Sequence, residues 1–591
     1  MNSKFLRIAG AVVFALFACA QAWAQPTNIS PEALGQMQTI SSIKAGFTPG
    51  QKKLGSGLAF SVLAAANDAR VATIRGAIAP LDAAGVKVEI KGTVGRDLLA
   101  AIAAANGSVI NSFPQWGMVT AVLPASALEG IAARDDVAQI RLPAQRATNA
   151  GLVASQGLVS HQAKQANLSG FTGAGVKVGV LSDSADPATI AALIGTGDLP
   201  VGTTFLPGQS GAPGSDEGTA MMEIVHDLAP GAQLIFATAF NGVASFAQNI
   251  IDLAAAGCSV IVDDVSYSDE GAFQDGPIAQ AVNQVTAAGV VYFSSAANSG
   301  NLTSGTSGTW EGDFNDGGPA GGPLAGAGNV HNFGGGQMYN VLTAGTVLVS
   351  VKWSDPLGGS TNDYDLYILN STGTSVIGFS TDVQNGTQDP DEEAYNPGGF
   401  PTGSRIVVVK FSGAQRALHV DTWRGRVSIA TSGATTGHNA AANTVGMAAT
   451  YWNSAKTGTL SFTGAANPVE TFSSDGPRKI FYNPNGTAIT PGNLLFGTNG
   501  GTTLQKPDLT AADGATTLTP GFNPFFGTSA SAPHAAAIAA LIRQARPDYT
   551  VAQVKAAMIA TALDTMAPGA DRDSGYGITM GYAAVQYALT H

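Results

Sequence analysis

Ser529 has surroundings that suit nucleophilic chemistry. Residues 527–534 read Gly-Thr-Ser-Ala-Ser-Ala-Pro-His, and an alanine-rich stretch typical of a helix follows them. A serine at the start of a helix lies at the positive end of the helix dipole, which stabilises negative charge that develops nearby. A serine in this place is also the usual helix N-cap. The segment alone therefore leaves both roles open, nucleophile and cap.

Two further polar residues follow predicted strands. Asp183 comes after the apolar run 176–181, and Asn298 lies in Ser-Ser-Ala-Ala-Asn-Ser-Gly at 294–300. Asp and Asn both form turns after strands, which is the ordinary reason to find them there. In parallel sheets, however, chemistry gathers at the carboxyl ends of the strands. The positions of both residues are therefore compatible with a turn and with a functional site.

The serine segment resembles the motif that subtilisins and sedolisins share, Gly-Thr-Ser-x-Ala/Ser-x-Pro. The resemblance extends through most of residues 165–300 and 430–591. It implies an α/β fold with a doubly wound parallel sheet of subtilisin type, and a serine endopeptidase with Ser529 as nucleophile. It also implies that Asp183 is the triad aspartate and that Asn298 donates a hydrogen bond to the oxyanion. Sedolisins carry an aspartate at the last position, so the asparagine is similar to the subtilisin pattern.

The chain departs from the subtilisin pattern at Glu217. Subtilisins place His-Gly-Thr at the head of a helix, and here the triplet is Glu-Gly-Thr. Measured back from Ala-Pro-Gly-Ala at 229–232, Glu217 falls where sedolisins hold their catalytic glutamate, whereas the position of their second acid is Met221. A carboxylate can accept the serine proton when its pKa is raised, and a neighbouring carboxylate raises one pKa of the pair. We therefore expect Glu217 to be the base and to share a proton with Asp183.

Three histidines are alternative bases. His226 lies nine residues after Glu217 on the same predicted helix, which is about 13 Å along its axis. That separation places it away from the head of the helix. His161 and His534 are weaker candidates, and the second of these is expected to take part in helix packing.

A different class of function is compatible with the same residues. The missing triad histidine is what a catalytically inactive subtilisin homologue, used for binding or inhibition, would show. Against this alternative stand Ser529, Asp183 and Asn298, together with an acid at the one replaced position. A decayed site would be expected to lose more of these elements.

One wall of the substrate cleft is expected at Ser266, Tyr267 and Ser268, which follow a predicted strand. The substrates implied by the resemblance are proteins or peptides. Asp269 and Glu270 lie close by and could favour basic substrates, although solvated surface charge is the plainer interpretation. No cofactor and no catalytic metal are expected.

The elements that must position these residues alternate between strand and helix. This alternation predicts a parallel sheet that is covered on both faces. We assign the first part of the catalytic domain to residues 151–304 and the second part to 431–591. The predicted strands are 176–181, 233–238, 260–262 and 290–293, and the predicted helices are 221–228, 277–288, 530–545 and 551–562.

Residues 305–430 have a different pattern, in which strands alternate with Gly, Asn and Asp turns and no helix is evident. This pattern predicts a β-sandwich inserted into the catalytic domain. Asp363 and Asp365 alternate on one predicted strand and could face a structural calcium ion, and further carboxylates lie at 389–393. Solvated turns explain these acids as well. Because the insert supplies no motif, we expect it to be dispensable for peptide-bond chemistry.

The N-terminus is a predicted signal peptide over residues 1–24. Lys4 and Arg7 precede an apolar run that is shorter than a membrane span, and Ala-Trp-Ala at 22–24 is a small-x-small cleavage signal. Lipoprotein processing at Cys19 is the rival interpretation. The sequence therefore predicts secretion, to the periplasm or the exterior, with no membrane association after signal removal.

Residues 25–150 are predicted to be a propeptide. Within them, about 85–142 show the order β-α-β-β-α-β, which is typical of a ferredoxin-like unit. This unit is similar to the propeptides of subtilisins, which implies an intramolecular inhibitor and a zymogen. Self-cleavage is expected between about Leu142 and Gly170.

Composition excludes several other classes. The chain has 45% hydrophobic and 12% charged residues, which argues against disorder. Its formal net charge is -12 and it shows no basic stripe, so no nucleic-acid partner is expected. After signal removal Cys258 is the only cysteine, so no intramolecular disulfide can form.

Overall fold

The computed structural model describes residues 29–591 apart from 83–84, 145, 148–154, 321–327, 455 and 457–459. The predicted signal peptide, with Cys19 in it, lies outside the described residues, as does part of the predicted cleavage region. Within the described part of the chain, no helix combines the length and the apolar character that crossing a bilayer requires.

The N-terminal region consists of two helices followed by a small α+β unit. Its four strands form an antiparallel sheet, and the unit has the element order β-α-β-β-α-β. The elements are α1 Pro31–Ala45, α2 Ser56–Ala65, β1 Val86–Gly92, α3 Arg96–Ala104, β2 Ser108–Phe113, β3 Met118–Leu123, α4 Leu128–Ala132 and β4 Val137–Arg141. The sheet order is β2-β3-β1-β4.

A short strand, β5 Arg146–Ala147, precedes the first part of the α/β unit. The elements of that first part are α5 Gly157–Ser160, α6 Ala163–Leu168, β6 Lys177–Ser182, α7 Pro187–Thr196, β7 Thr204–Phe205, α8 Glu217–Leu228, β8 Gln233–Thr238, α9 Val243–Ala255, β9 Val260–Asp263, β10 Ser266–Tyr267, α10 Pro277–Ala287 and β11 Val291–Ser295.

The insert is entirely β-structure within its described residues. Its strands are β12 Thr309–Asp313, β13 Asp316–Pro319, β14 Asn329–His331, β15 Asn340–Ala344, β16 Thr346–Trp353, β17 Asp363–Leu369, β18 Val376–Ser380, β19 Asp391–Phe400, β20 Arg405–Ser412, β21 Ala417–Asp421 and β22 Arg426–Val427. One sheet has the order β12-β21-β16-β19, and the other has the order β13-β14-β20-β15-β22, with β17 pairing to β18 and β20. Trp353 and Tyr364 pack between the sheets with ring centroids 5.1 Å apart.

The chain then returns to the α/β unit. Its last elements are β23 Val445–Tyr451, β24 Arg478–Ile480, β25 Thr502–Leu504, β26 Leu509–Asp513, α11 Thr528–Ala545, α12 Val551–Ala560 and α13 Gly581–Thr590. The central sheet is parallel, with the order β26-β23-β11-β9-β6-β8-β7. Because α11 is rich in alanine, it can lie close against this sheet, where it packs on β9, β11, β23 and β26 and on α8. The parallel sheet predicted from the alternating pattern is therefore confirmed.

The N-terminal region and the insert share one hydrophobic core. Side chains from α1, α2 and the N-terminal sheet pack with apolar residues of β17, β18 and β20 of the insert. The rings of Phe60 and Phe379 meet edge to face at 4.9 Å. Lys91 also pairs with Asp389 at 2.7 Å. Burial of this shared surface makes the insert a structural partner of the N-terminal region.

Some elements of the fold were not predicted from the sequence. Helices α1, α2 and α9 are among these elements. Helix α1 is buried on several sides, so it carries no clear apolar stripe. Its start signal is local: Ser30 caps the helix by accepting a hydrogen bond from Ala33 at 3.2 Å, and Pro31 is the first helical residue.

Candidate active site

Ser529 is the second residue of α11 and is buried. Its hydroxyl oxygen has no hydrogen-bond partner among the described residues. The turn before it is fixed because the amide of Gly527 donates to a carboxylate oxygen of Asp513 at 3.0 Å. Two residues later, the hydroxyl of Ser531 accepts a hydrogen bond from Ala511 at 3.1 Å. These bonds hold the serine at the positive end of an 18-residue helix.

Asn298 lies beside the serine loop. Its side-chain oxygen accepts hydrogen bonds from the amide and the hydroxyl of Thr528, at 3.1 and 2.8 Å. Because the oxygen is engaged, the side-chain NH₂ is the group left to donate to a substrate oxygen. The residue before it, Ala297, has a φ of 74°, a backbone conformation that is costly for alanine and that the surrounding structure must hold in place. The structure thus brings Asn298 next to the residue that precedes Ser529.

Asp183 follows β6 and turns its carboxylate toward the start of α8. One oxygen accepts a hydrogen bond from the amide of Glu217 at 3.2 Å, and the other accepts from the amide of Ser215. A carboxylate at a helix N-terminus satisfies amides that have no partner within the helix and favours the positive end of the dipole. Asp183 therefore fixes the main chain at the head of the helix.

Glu217 is the first residue of α8 and is completely buried. The glycine after it is required by packing, because a Cβ on Gly218 would lie 2.1 Å from the ring of Phe236. The carboxyl group of Glu217 interacts with that of Asp264, which follows β9 and is also completely buried. Burial raises the pKa of Asp264 well above its ordinary value, and the adjoining Glu217 raises it further.

The structure differs here from the expected pairing. The sequence suggested that Glu217 shares a proton with Asp183, but the bond that Asp183 accepts comes from the main chain of Glu217, and the carboxyl group of Glu217 interacts with that of Asp264. Asp264 was not among the residues predicted from the sequence. Its signal was the pair of acids, Asp263 and Asp264, at the carboxyl end of a buried strand. Met221, at the position of the second sedolisin acid, packs in the core.

The histidines have other partners. In His161, Nδ1 donates to the carbonyl of Thr579 at 2.7 Å and Nε2 accepts from the amide of Ala512 at 2.9 Å. His534 donates to the carbonyl of Ala530 at 2.6 Å. His226 lies in the last turn of α8, at the opposite end from Glu217, and burial lowers its pKa. None of the hydrogen bonds of the described residues joins a histidine to Ser529.

A buried charge network supports the strand end that carries Asp264. His438 is fully buried, and its ring nitrogens contact Glu270 at 2.6 Å and Asp263 at 3.1 Å. Burial lowers the pKa of His438, but the charges of Glu270 and Asp263 outweigh burial and raise the pKa to about 10. His438 is therefore a permanent cation at neutral pH. The hydroxyl of Ser294 donates to Asp263 at 3.0 Å, which links the network to β11.

The predicted substrate wall lies at the edge of this network. Strand β10, Ser266–Tyr267, pairs antiparallel with β5, Arg146–Ala147, so the main chain that follows the N-terminal sheet occupies this edge. The hydroxyl of Tyr267 donates to a carbonyl in the loop before α9 at 2.6 Å. Ser268 donates to Glu393 of the insert at 3.2 Å. These two side-chain hydrogen bonds fix the segment, and its main chain is the part that pairs with β5.

The acids beside the wall are buried. Asp269 forms an ion pair with Arg141 of the N-terminal region, and Glu270 belongs to the histidine network. The sequence favoured solvated surface charge for both residues. The structure corrects this interpretation, since both are less than 10% exposed and serve as internal counter-charges.

Arg424 of the insert interacts electrostatically with Glu217 and Asp264. This residue lies in a two-residue turn after β21, in which Trp423 and Arg424 have φ values of 45° and 72°. The surrounding protein lowers the pKa of the Arg424 guanidinium, and the charges of Glu217 and Asp264 oppose that lowering. The insert therefore lies close enough to Glu217 and Asp264 to influence their charge, and its expected dispensability for peptide-bond chemistry stays a prediction.

The parallel sheet, the serine at a helix start and the asparagine beside it form the arrangement that the resemblance to subtilisins implied. Residues 208–577 match the Subtilase family, and the chain belongs to this family of serine peptidases.

No curated protein sequence matches the chain significantly. Among solved structures, fervidolysin from Fervidobacterium pennivorans, described as a keratinolytic enzyme related to subtilisin, is similar at 15% identity and a TM-score of 0.37. The match covers 85% of this chain and 61% of fervidolysin, so the chain spans about three fifths of that structure.

Proposed function

We propose that the protein is a secreted serine endopeptidase in which Ser529 is the nucleophile and Glu217 is the base. The observation that carries this proposal is the buried pair of carboxyl groups, Glu217 and Asp264, at the head of a helix that packs against the serine helix. A carboxylate next to a protonated acid can accept a proton near neutral pH. A subtilase without a catalytic histidine therefore still has a base.

The proton and the electron pairs move as follows. The Ser529 hydroxyl gives its proton to the Glu217 carboxylate while its oxygen attacks the peptide carbonyl carbon. The resulting oxyanion accepts hydrogen bonds from the Asn298 NH₂ and the Ser529 amide. Glu217 then returns the proton to the leaving amine as the peptide C–N bond breaks. Water then hydrolyses the acyl-enzyme. Glu217 takes a proton from the water as its oxygen attacks the carbonyl carbon, and it returns the proton to Ser529 as the bond between the acyl group and the serine oxygen breaks.

Asp264 and Asp183 have different proposed roles. Burial and the neighbouring carboxylate raise the pKa of Asp264, so in this proposal Asp264 carries the proton of the pair and donates a hydrogen bond to the Glu217 carboxylate. Asp183 is a positioning residue, since it accepts hydrogen bonds from the main chain at the start of α8. The catalytic set is then Ser529, Glu217, Asp264 and Asn298, with Asp183 orienting the helix.

The N-terminal region is the proposed propeptide and intramolecular inhibitor. Support comes from β5, which pairs with the Ser266–Tyr267 edge as an extended peptide substrate would. Proteins or peptides are the proposed substrates, and Ser266, Tyr267 and Ser268 form the wall that binds them. The signal peptide predicted from the sequence supports export to the periplasm or the exterior.

A fluorophosphonate probe tests the function. The probe forms a covalent bond with an activated serine, so we expect it to label the processed protein and to leave the Ser529→Ala variant unlabelled. Glu217→Gln should reduce the labelling rate about a hundredfold or more, because the general base is lost. A processed, folded protein that takes up no probe would instead identify the inactive, binding homologue.

A further inference from the structure

The insert buries both faces of its central strands. An antiparallel sheet usually packs one face on a core and turns the other to water, so that apolar and polar residues alternate along each strand. Strand β20 instead has Ile-Val-Val-Val at 406–409, and β17 has Leu-Tyr-Ile-Leu at 366–369. All of these residues are buried. Such continuous apolar runs indicate that the outer side of the sheet is covered.

The two sides of these strands belong to different cores. Leu366, Ile368, Ile406 and Val408 pack inside the sandwich. The residues that alternate with them pack against the N-terminal region, together with neighbours from β18. We call this second set the outer face, and its members are Tyr367, Leu369, Val376, Phe379, Val407 and Val409.

The N-terminal region covers the outer face with its own core residues. The rings of Phe60 and Phe379 meet edge to face at 4.9 Å, within one continuous apolar cluster. The main chain is tied as well, because the amide of Val376 donates to the side-chain oxygen of Gln36 at 2.7 Å. An apolar interface that resembles a domain core cut in half is typical of permanent partners rather than transient ones.

Two acids of β17 have their counter-charge in the N-terminal region. Asp363 and Asp365 are 4% and 1% exposed, and the ammonium of Lys44, near the end of α1, contacts them at 2.7 and 2.8 Å. Lys44 is itself only 2% exposed. Removing one partner of a buried ion pair leaves an uncompensated charge inside the protein, which is strongly destabilising. Departure of the N-terminal region would therefore leave the insert with unpaired acids.

The contact of β5 with the substrate wall is much smaller. Strand β5 pairs with β10 over two residues on each strand, Arg146 with Tyr267 and Ala147 with Ser266. The predicted cleavage window, about 142–170, contains β5. A cut in this window can therefore free β5 from the wall while residues 29–141 keep every contact with the outer face.

We propose that residues 29–141 stay bound to the insert after cleavage, so that the mature protein is a two-chain enzyme whose short chain covers the outer face. Cutting the linker removes a tether and none of the contacts across the interface. Loss of the short chain would expose an apolar patch of the kind that promotes aggregation. The inference rests on the proposed function for the place of the cut, and it assigns β5 as the part whose release opens the substrate wall.

The test cuts the chain without its own peptidase. In full-length Ser529→Ala, a recognition sequence for a site-specific protease replaces residues 148–154. After the cut, we expect the two pieces to elute together in gel filtration, in equal amounts, and to separate in concentrated guanidinium chloride. A long piece that elutes alone as a soluble monomer would overturn the proposal.

A matched pair of substitutions locates the contact. Phe379→Ala removes an outer-face ring, and Phe333→Ala removes a ring of the same size from the sandwich core. In the cut protein, Phe379→Ala should speed dissociation of the short piece about tenfold or more, because truncation of a buried ring removes apolar contact and leaves a cavity. Phe333→Ala should leave the dissociation rate near that of the parent. Equal rates in the two variants would contradict the assignment of the outer face.

Hydrogen exchange answers the same question in the uncut chain, including the case in which the protease does not reach its site. Phe60→Ala, or Phe60→Leu if the first variant is insoluble, should speed amide exchange in β17 and β20 and leave β6 and β9 of the parallel sheet unchanged. Exchange in β17 and β20 that does not respond would overturn the proposal. Because every variant carries Ser529→Ala, these outcomes do not depend on peptidase activity. The proposed function and the two-chain protein can therefore fail separately.

Discussion

The carboxyl groups of Asp264 and Glu217 adjoin inside the protein, and neither residue is exposed to solvent. Burial and the neighbouring Glu217 raise the pKa of Asp264, and the proposed mechanism places the shared proton on the aspartate and makes the glutamate the base. In the proposed mechanism this pair of acids takes the place of the usual aspartate and histidine.

The pH profile should report both acids. As the pH falls, Glu217 takes up a proton and activity is lost. As the pH rises through the raised pKa of Asp264, a second buried negative charge appears beside Glu217, and activity is lost again. The working range should lie below that of a histidine-based subtilisin. Initial rates on a peptide substrate, measured across pH, check this expectation.

Asp264→Asn separates the two limbs of the profile. Asparagine mimics the protonated aspartate, so we expect a loss of about tenfold or less and no alkaline limb that belongs to Asp264. Asp269→Asn, which changes another buried acid nearby, serves as the control and should keep the shape of the profile. An unchanged alkaline limb in Asp264→Asn would show that this residue does not titrate in the reaction.

The histidine network should govern stability with a defined pH dependence. The pKa of folded His438 is about 10, above the usual 6.5, so its contribution is fully present below pH 6.5 and is lost as the pH rises through 10. His438→Gln leaves two buried acids without a counter-charge and should cost about 3–5 kcal/mol of unfolding free energy below pH 6.5. Denaturant unfolding at several pH values measures this cost.

His419→Gln is the matched control for that series. Burial lowers the pKa of His419 to about 4, so its contribution is present above pH 6.5 and is lost as the pH falls through 4. The two variants should therefore show opposite trends with pH. Parallel trends would contradict the assignment of His438 as a buried cation.

Processing should require the catalytic serine. If the N-terminal region is removed by self-cleavage, Ser529→Ala accumulates as the long form, and N-terminal sequencing of the parent finds a cut between about Leu142 and Gly170. Addition of active parent protein should process the variant in trans, because segments that connect folded units are ordinarily open to proteases. Normal maturation of Ser529→Ala expressed alone would refute self-cleavage.

The sequence predicted much of the catalytic frame because local patterns specify it. Buried strands such as β8 read as short apolar runs, and Ser529 and Asn298 lie in motifs that need no distant partner to be seen. Asp264 could not be assigned this way, since its role arises from a contact with a residue on another element. The same holds for Lys44, whose acid partners follow more than three hundred residues later. Long-range pairing of buried charges is the part that sequence patterns do not contain.

The identity of the base is the central claim, and one comparison tests it most directly. Turnover of a peptide substrate by processed Glu217→Gln should fall about a hundredfold or more, because glutamine keeps the shape and cannot accept the proton. His226→Ala, which changes the far end of the same helix, should keep a rate near that of the parent. Near-parental rates in Glu217→Gln together with loss of activity in His226→Ala would contradict the account and assign the base to the histidine.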